Sequence, residues 1–172
     1  MSFRFRATIA GSPSTATARL REALQWAQPS EETMPEFEII HAKPEPAEYA
    51  AIRAACGSTP ISEDLAARAL GGTTALVCIR QGGDLIGFGR VVGDGALFFY
   101  LQDVLVHPDH QGENLGEAIV TALMEEIAKI APEGATIGLM STPGNEGFYE
   151  NHGFRIRPND DHGAGMSQIV GG

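Results

Sequence analysis

The sequence predicts a single α/β layered domain on a mixed sheet, and three observations carry that expectation. The chain has 172 residues, 43% of them apolar, which is enough for one sizeable core and too little for two ordinary ones. Stretches with period-two alternation and stretches with helical spacing follow one another in the order β-α-α-β-β-β-α-β-α-β-β. Of the 21 glycines, 19 fall after Leu70, several in pairs where short connections must turn the chain. Charged residues are 20% of the total, so this is not a disordered, solvating chain. No apolar run reaches the roughly 18 residues a membrane span needs. The net charge of -10 argues against a nucleic-acid partner and for solubility or a cationic one.

Each element has its own signal. Phe37–His41 reads as a short strand, and Glu45–Cys56 as a helix closed by Gly57, with Tyr49, Ile52 and Ala55 at helical spacing. Ser62–Leu70 is a second helix, with Ser62 placed to cap it and Gly71-Gly72 to stop it. Three strands follow: Thr74–Arg80, Leu85–Val92 and Ala96–Val106. Gly82-Gly83 and Asp94-Gly95 between them supply the positive φ that tight hairpins require. Asn114–Ile130 is a long helix whose Leu115, Ile119, Ala122, Leu123, Ile127 and Ile130 share one face. Thr136–Met140 is a strand and Glu146–Asn151 a short helix. Phe154–Arg157 and Met166–Val170 are expected as terminal strands.

The first 33 residues differ from the rest. They carry a net charge of +1 against -11 for residues 34–172. Phe3, Phe5, Ala7 and Ile9 alternate with Arg4, Arg6 and Thr8 as in a half-buried strand. Leu20, Ala23, Leu24 and Ala27 repeat as in a helix. A folded extension (1–33) preceding the main domain (34–172) is therefore expected, one that caps a sheet edge or pairs across a homodimer. Its Arg-, Ser- and Ala-rich, acid-free start is also compositionally like a transit peptide, and Met34 is an alternative start. Cys56 and Cys78 have no C-x-x-C spacing and read as small buried hydrophobes. The expectation is a reduced, cytoplasmic protein.

Two stretches carry chemistry. The run from Val104 to Gly116 ends a strand at Pro108 and feeds the N-terminus of the long helix through Gln111, Gly112, Glu113 and Asn114. Unpaired amides at that helix end, with the positive end of its dipole, suit an anion. Phe148-Tyr149-Glu150-Asn151-His152-Gly153-Phe154 is a short helix closed by glycine ahead of a strand. Standing alone, the first stretch is equally well a plain strand-to-helix turn, and the second an aromatic pair in the core.

In this order and spacing the two stretches resemble the motifs of the GCN5-related N-acetyltransferase (GNAT) superfamily. Val106, Pro108, Gln111 and Gly116 match its Val-x-Pro-x-x-Gln/Arg-x-x-Gly-x-Gly/Ala motif. Phe148, Tyr149, Gly153 and Phe154 match its later Phe/Leu-Tyr-x-x-x-Gly-Phe motif, and the resemblance extends over residues 36–170. It implies a mixed, mostly antiparallel sheet flanked by helices, with a V-shaped splay between two central parallel strands. It also implies acetyl-CoA as cosubstrate, with the pantetheine along Val104, Leu105 and Val106. The pyrophosphate is implied on the amides of Gln111, Gly112, Glu113, Asn114, Leu115 and Gly116, beside Phe148. A primary amine, most simply that of a small molecule, attacks the thioester directly in a ternary complex. Tyr149 is the implied general acid, because a phenol near pKa 10 can protonate a thiolate whose conjugate acid lies near about 8.5.

Departures from the motif bear on these roles. Asn114 stands where the family has a loop glycine, and asparagine tolerates the left-handed backbone best among the other residues. The loop has Glu113 where many relatives carry a cation. Thr142 stands where an Asn often touches the pantetheine. Histone-acetylating relatives place a Glu where this chain has Tyr100, so the base is unassigned, and Asp103 is open as base, as amine anchor or as structural acid. His107, His110, His152 and His162 are expected to face solvent, and no spacing suggests a metal. The Gly87–Gly93 run lies in a strand and has the wrong spacing for a dinucleotide loop. Two further classes stay open: an acyl-CoA-binding regulatory module without turnover, and an acetyltransferase for protein or peptide amines. No nucleic acid or membrane is expected as a partner.

Overall fold

The computed structural model describes residues 37–171. The expected N-terminal strand and helix lie outside the described residues. A five-stranded sheet has its strands in chain order: β1 (Glu38–Ile40), β2 (Ala75–Gln81), β3 (Asp84–Gly93), β4 (Phe98–Val106) and β5 (Thr136–Gly138). Neighbours are antiparallel except β4 and β5, which run parallel and pair only from Phe98↔Thr136 to Tyr100↔Gly138. The pairing stops where β5 ends at Gly138, so among the described residues β4 past Tyr100 has no strand partner on that side. That free stretch of edge positions the site.

Helices cover both faces. On one face lie α1 (Pro46–Ala55) and α2 (Glu63–Gly71), where Tyr49, Ile52, Ala66 and Leu70 meet Leu76, Cys78 and Phe88. On the other lies α3 (Leu115–Ile130), which buries Leu115, Ile119, Val120, Leu123 and Ile127 against Val77, Ile79, Val91, Phe99 and Leu101. Ile130 closes the helix 47% exposed, outside the stripe expected for it. The close approach of α3 to β3 needs glycine at residue 89. A Cβ there would press into Ile119 Cγ2 and Leu123 Cδ1.

Local devices hold these elements as the sequence implies. Ser62 accepts from the Leu65 amide at 3.3 Å, and Gly82 and Gly83 turn the β2–β3 hairpin with φ 59° and 99°. After β3, Asp94 Oδ1 accepts from the amides of Ala96, Leu97 and Phe98 at 2.8–3.0 Å. Those backbone donors, Phe98 first, hold the Asp94 carboxyl below its usual range.

The C-terminal end differs from expectation. After α4 (Glu146–Glu150), neither Phe154–Arg157 nor Met166–Val170 forms a strand, and among the described residues β5 is the last strand on its side of the sheet. Alternation makes a strand only where a neighbour accepts its ladder. Here Pro158 removes a donor and Gly163 and Gly165 weaken the segment between the two stretches. Met166 is 92% exposed and Val170 fully so. Among the described residues, no helix is long and apolar enough to cross a membrane, and no group of His, Cys, Asp or Glu is placed to hold a metal ion.

Candidate active site

β4 delivers the chain to the site. Past Val106, a single 3-10 turn at Pro108–His110 leads into the Gln111–Asn114 loop and then α3. Gly112 (φ 86°) and Asn114 (φ 59°) both adopt the left-handed conformation, the one expected of Asn114 in place of a loop glycine. The first α3 amide with an intrahelical partner is that of Ala118, which donates to Asn114 O at 3.2 Å. The amides of Leu115, Gly116 and Glu117 therefore stand at the open helix end.

A hollow of about 270 Å³ lies over that end, lined by Val106, Gln111, Gly112, Asn114, Leu115, Gly116, Glu117 and Phe148. Gly116 faces the Phe148 ring, where a Cβ would sit 3.7 Å from Cζ, in ordinary contact. Six of the seven residues expected at the pyrophosphate thus come together. Glu113 is turned aside, with Oε2 3.4 Å from His110 Nδ1. Its place as the acid beside the hollow is taken by Glu117, which the sequence reading did not single out. Glu117 Oε2 lies 3.1 Å from His152 Nε2. His152 is not solvent-facing as expected: its side chain is 9% exposed, and its ring meets Phe148 edge-on at 5.2 Å. His152 lies in the turn after α4, two residues past the helix end.

A larger open groove, about 1100 Å³, runs along the β5 edge and α4. Tyr149, Tyr100, Phe98, Gly138, Met140 and Ser141 are among its walls. Phe98 and Met140 are each 62% exposed there. Its charged lining is mixed, Glu146 and Glu150 against Arg155 and Arg157. Burial pushes the Tyr149 phenol above its ordinary pKa, and among the described residues its hydroxyl has no hydrogen-bond partner. Thr142 lines neither hollow; its carbonyl accepts from the Asn145 amide at 3.0 Å and from Ser141 Oγ at 2.9 Å.

Asp103 faces away from both hollows, toward α1. Its Oδ2 accepts from the Tyr49 hydroxyl at 2.5 Å and Arg90 Nε at 2.8 Å, and its Oδ1 from Arg53 Nη1 at 3.3 Å. Burial works to raise its pKa, but the Tyr49 and Arg90 hydrogen bonds and the two guanidinium charges outweigh it, and the carboxyl sits below its usual range. Of the three roles open from sequence, these contacts match the structural acid.

Residues 72–156 match the family model described as acetyltransferase (GNAT) domain, a span that includes both motifs. The uncharacterized N-acetyltransferase ycf52 of Pyropia yezoensis is 34% identical over 70 residues, 41% of this chain and 39% of that protein. GCN5-related N-acetyltransferase 2, chloroplastic, of Arabidopsis thaliana is 35% identical over 79 residues, 46% of this chain and 30% of that protein. The chain spans 30–40% of the length of the curated relatives it matches. Among solved structures, SA2161 of meticillin-resistant Staphylococcus aureus, a protein of unknown function described as a probable acetyltransferase, superposes with a TM-score of 0.70 at 25% identity. That superposition covers 78% of this chain and 100% of the other.

Proposed function

The chain belongs to the GCN5-related N-acetyltransferase superfamily, and we propose that it transfers an acetyl group from acetyl-CoA to the primary amine of a small molecule. One observation carries the reading. The reading is supported by the open N-terminus of α3 together with, among the described residues, an edge of β4 past Tyr100 without a strand partner and a Tyr149 hydroxyl without a hydrogen-bond partner.

In this reading the anionic pyrophosphate lies on the amides from Gly112 to Gly116, where the helix end supplies the positive potential that the side chains do not. The edge of Val104, Leu105 and Val106 hydrogen-bonds the amides of the pantetheine arm as a neighbouring strand would. The neutral amine attacks the thioester carbonyl, the C–N bond forms as the C–S bond breaks, and the departing sulfur takes a proton from the Tyr149 hydroxyl; the nitrogen sheds its surplus proton to water, and the Tyr149 phenolate regains one from solvent. Burial suits Tyr149 to the role, because it keeps the phenol protonated through neutral pH. Of the two loop residues, Ser141 and not Thr142 lines the groove that holds Tyr149.

A second reading, an acyl-CoA-binding module without turnover, is favoured by Glu117, whose carboxylate lines the hollow that phosphates would enter. Thiol release from acetyl-CoA, followed against a panel of small amines, lysine and peptide N-termini, decides the matter. Release with a small amine supports the transferase. A thermal shift with CoA but no release with any acceptor supports the module, and release only with peptides moves the acceptor class to protein amines.

A further inference from the structure

The two halves of β4 use different registers. Leu101 enters the core beneath α3, so alternation puts Gln102 on the α1/α2 face and would return Asp103 to the α3 core. Instead Asp103 reaches Tyr49 and Arg53 of α1, Val104 and Val106 pack beneath α3, and Leu105 joins the α1/α2 cluster. One extra residue accounts for this. Phe88 pairs with Leu105 and Arg90 with Gln102, which leaves Asp103 and Val104 opposite the single Gly89. Asp103 adopts φ 52° at the bulge, a conformation disfavoured for an L-residue and kept only where the surroundings impose it.

The surroundings are specific. Tyr49, Arg53 and Arg90 all donate to the Asp103 carboxylate, whose side chain is 5% exposed. Arg53 Nη1 also donates to the Tyr49 oxygen at 3.2 Å, and Arg90 Nη1 to Ala69 O of α2 at 3.1 Å. Both guanidinium groups lie 5.7 Å from the centroid of the Tyr49 ring. Helix α1 and strand β3 therefore converge on one carboxylate, and α2 holds one of its arginine partners.

A register shift of one residue exchanges the backbone groups that look to either edge of a strand. The edge concerned is the one that, among the described residues, has no strand partner past Tyr100. We propose that Asp103 is a positioning residue for the acyl-CoA: held by Tyr49, Arg53 and Arg90, its carboxylate fixes the bulge that turns the backbone of Val104–Val106 toward the pantetheine arm. It exchanges no proton with the reactants. The inference rests on the functional reading above.

The test compares Asp103→Asn, Arg90→Gln and Tyr49→Phe with wild type for CoA affinity by calorimetry, KM for acetyl-CoA, kcat, and the pH profile of kcat. Asparagine accepts a left-handed backbone, so Asp103→Asn removes the charge and keeps the local preference. The expected result is a roughly tenfold rise in the CoA Kd and the acetyl-CoA KM for Asp103→Asn, the size of one lost charge-assisted hydrogen bond. Tyr49→Phe and Arg90→Gln shift both in the same direction, kcat stays within about threefold, and the acidic limb of the pH profile keeps its midpoint. An unchanged KM overturns the inference, and so does a kcat loss in Asp103→Asn that removes the acidic limb, which would make Asp103 the base. If Asp103→Asn fails to fold, Arg53→Gln at the more exposed side of the cluster carries the same KM criterion. Wild-type protein that binds no CoA overturns the functional reading and this inference with it. Wild-type binding with unmoved variants overturns this inference alone.

Discussion

The Phe148 ring stands edge-on to the Tyr149 ring with centroids 4.9 Å apart, so adjacent residues of the five-residue helix α4 face different hollows. Phe148 closes the small hollow at the N-terminus of α3, and Tyr149 lines the large groove along β5. Their substitutions should separate accordingly. Phe148→Ala removes the ring beside Gly116 and is expected to raise the acetyl-CoA KM severalfold with little change in kcat, measured in steady-state thiol release.

Tyr149→Phe should act on the chemical step. Removing a general acid slows it by about 100-fold or more, with acetyl-CoA affinity unchanged. Burial raises the Tyr149 pKa above 10, so the proton is in place throughout neutral pH and is lost only as pH rises past that raised value. Single-turnover rates should fall at the alkaline end in wild type, and that fall should be missing in Tyr149→Phe. An unaltered rate in the variant would remove Tyr149 from the mechanism.

Asp103 also makes stability depend on pH. Its pKa is lowered in the fold, so its stabilisation is complete above the unfolded value, near 3.9, and is lost as pH falls through the folded value. Asp103→Asn should therefore flatten the acid side of the stability curve. At pH 7 the variant should lose about 3–5 kcal/mol, because two part-buried arginines lose their counter-charge. Urea midpoints from pH 3 to 7 provide the measurement.

What the sequence could reveal follows from the range of the forces involved. Ser62, Gly82-Gly83 and the α3 stripe are local signals, and the elements they mark form within a residue or two of expectation. The loop from Gln111 to Gly116 is equally local, which is why its residues assemble as a unit. Asp103 is different. Its direction depends on a bulge opposite Gly89 and on Tyr49 and Arg53, some 50 residues earlier in the chain. Met166–Val170 fails for the same kind of reason, since its alternation is local but a strand partner is not. Glu117 and His152 are 35 residues apart, and only the packing of α4 on α3 joins them.

Glu117 is the acid whose removal should help ligand binding. It lines the hollow at the open helix end, where a carboxylate opposes a phosphate. Glu117→Gln should tighten CoA binding by about two- to threefold at low salt, an effect of the size of exposed charge pairs. The gain should fade by 0.5 M salt, where the screening length is only a few ångströms. Calorimetry at two ionic strengths checks both halves, and equal affinities at low salt would place the phosphates away from this carboxylate.

Gly89 tests the packing that brings α3 and its open end against the sheet. A methyl group at this position meets Ile119 Cγ2 and Leu123 Cδ1, side-chain atoms of two fully buried residues. Neither can swing into solvent, so the helix must lift or the rotamers must strain. Gly89→Ala should lower stability by about 1–3 kcal/mol, the usual cost of overpacking a filled core. Because Gly89 also faces the Asp103 bulge, a lifted α3 displaces both the strand edge and the helix N-terminus. The variant should therefore weaken CoA binding as well, by more than its loss of stability alone produces at a temperature where it is fully folded. Urea denaturation paired with calorimetry at that temperature separates the two effects, and full stability in Gly89→Ala would show that α3 does not lie this close to β3.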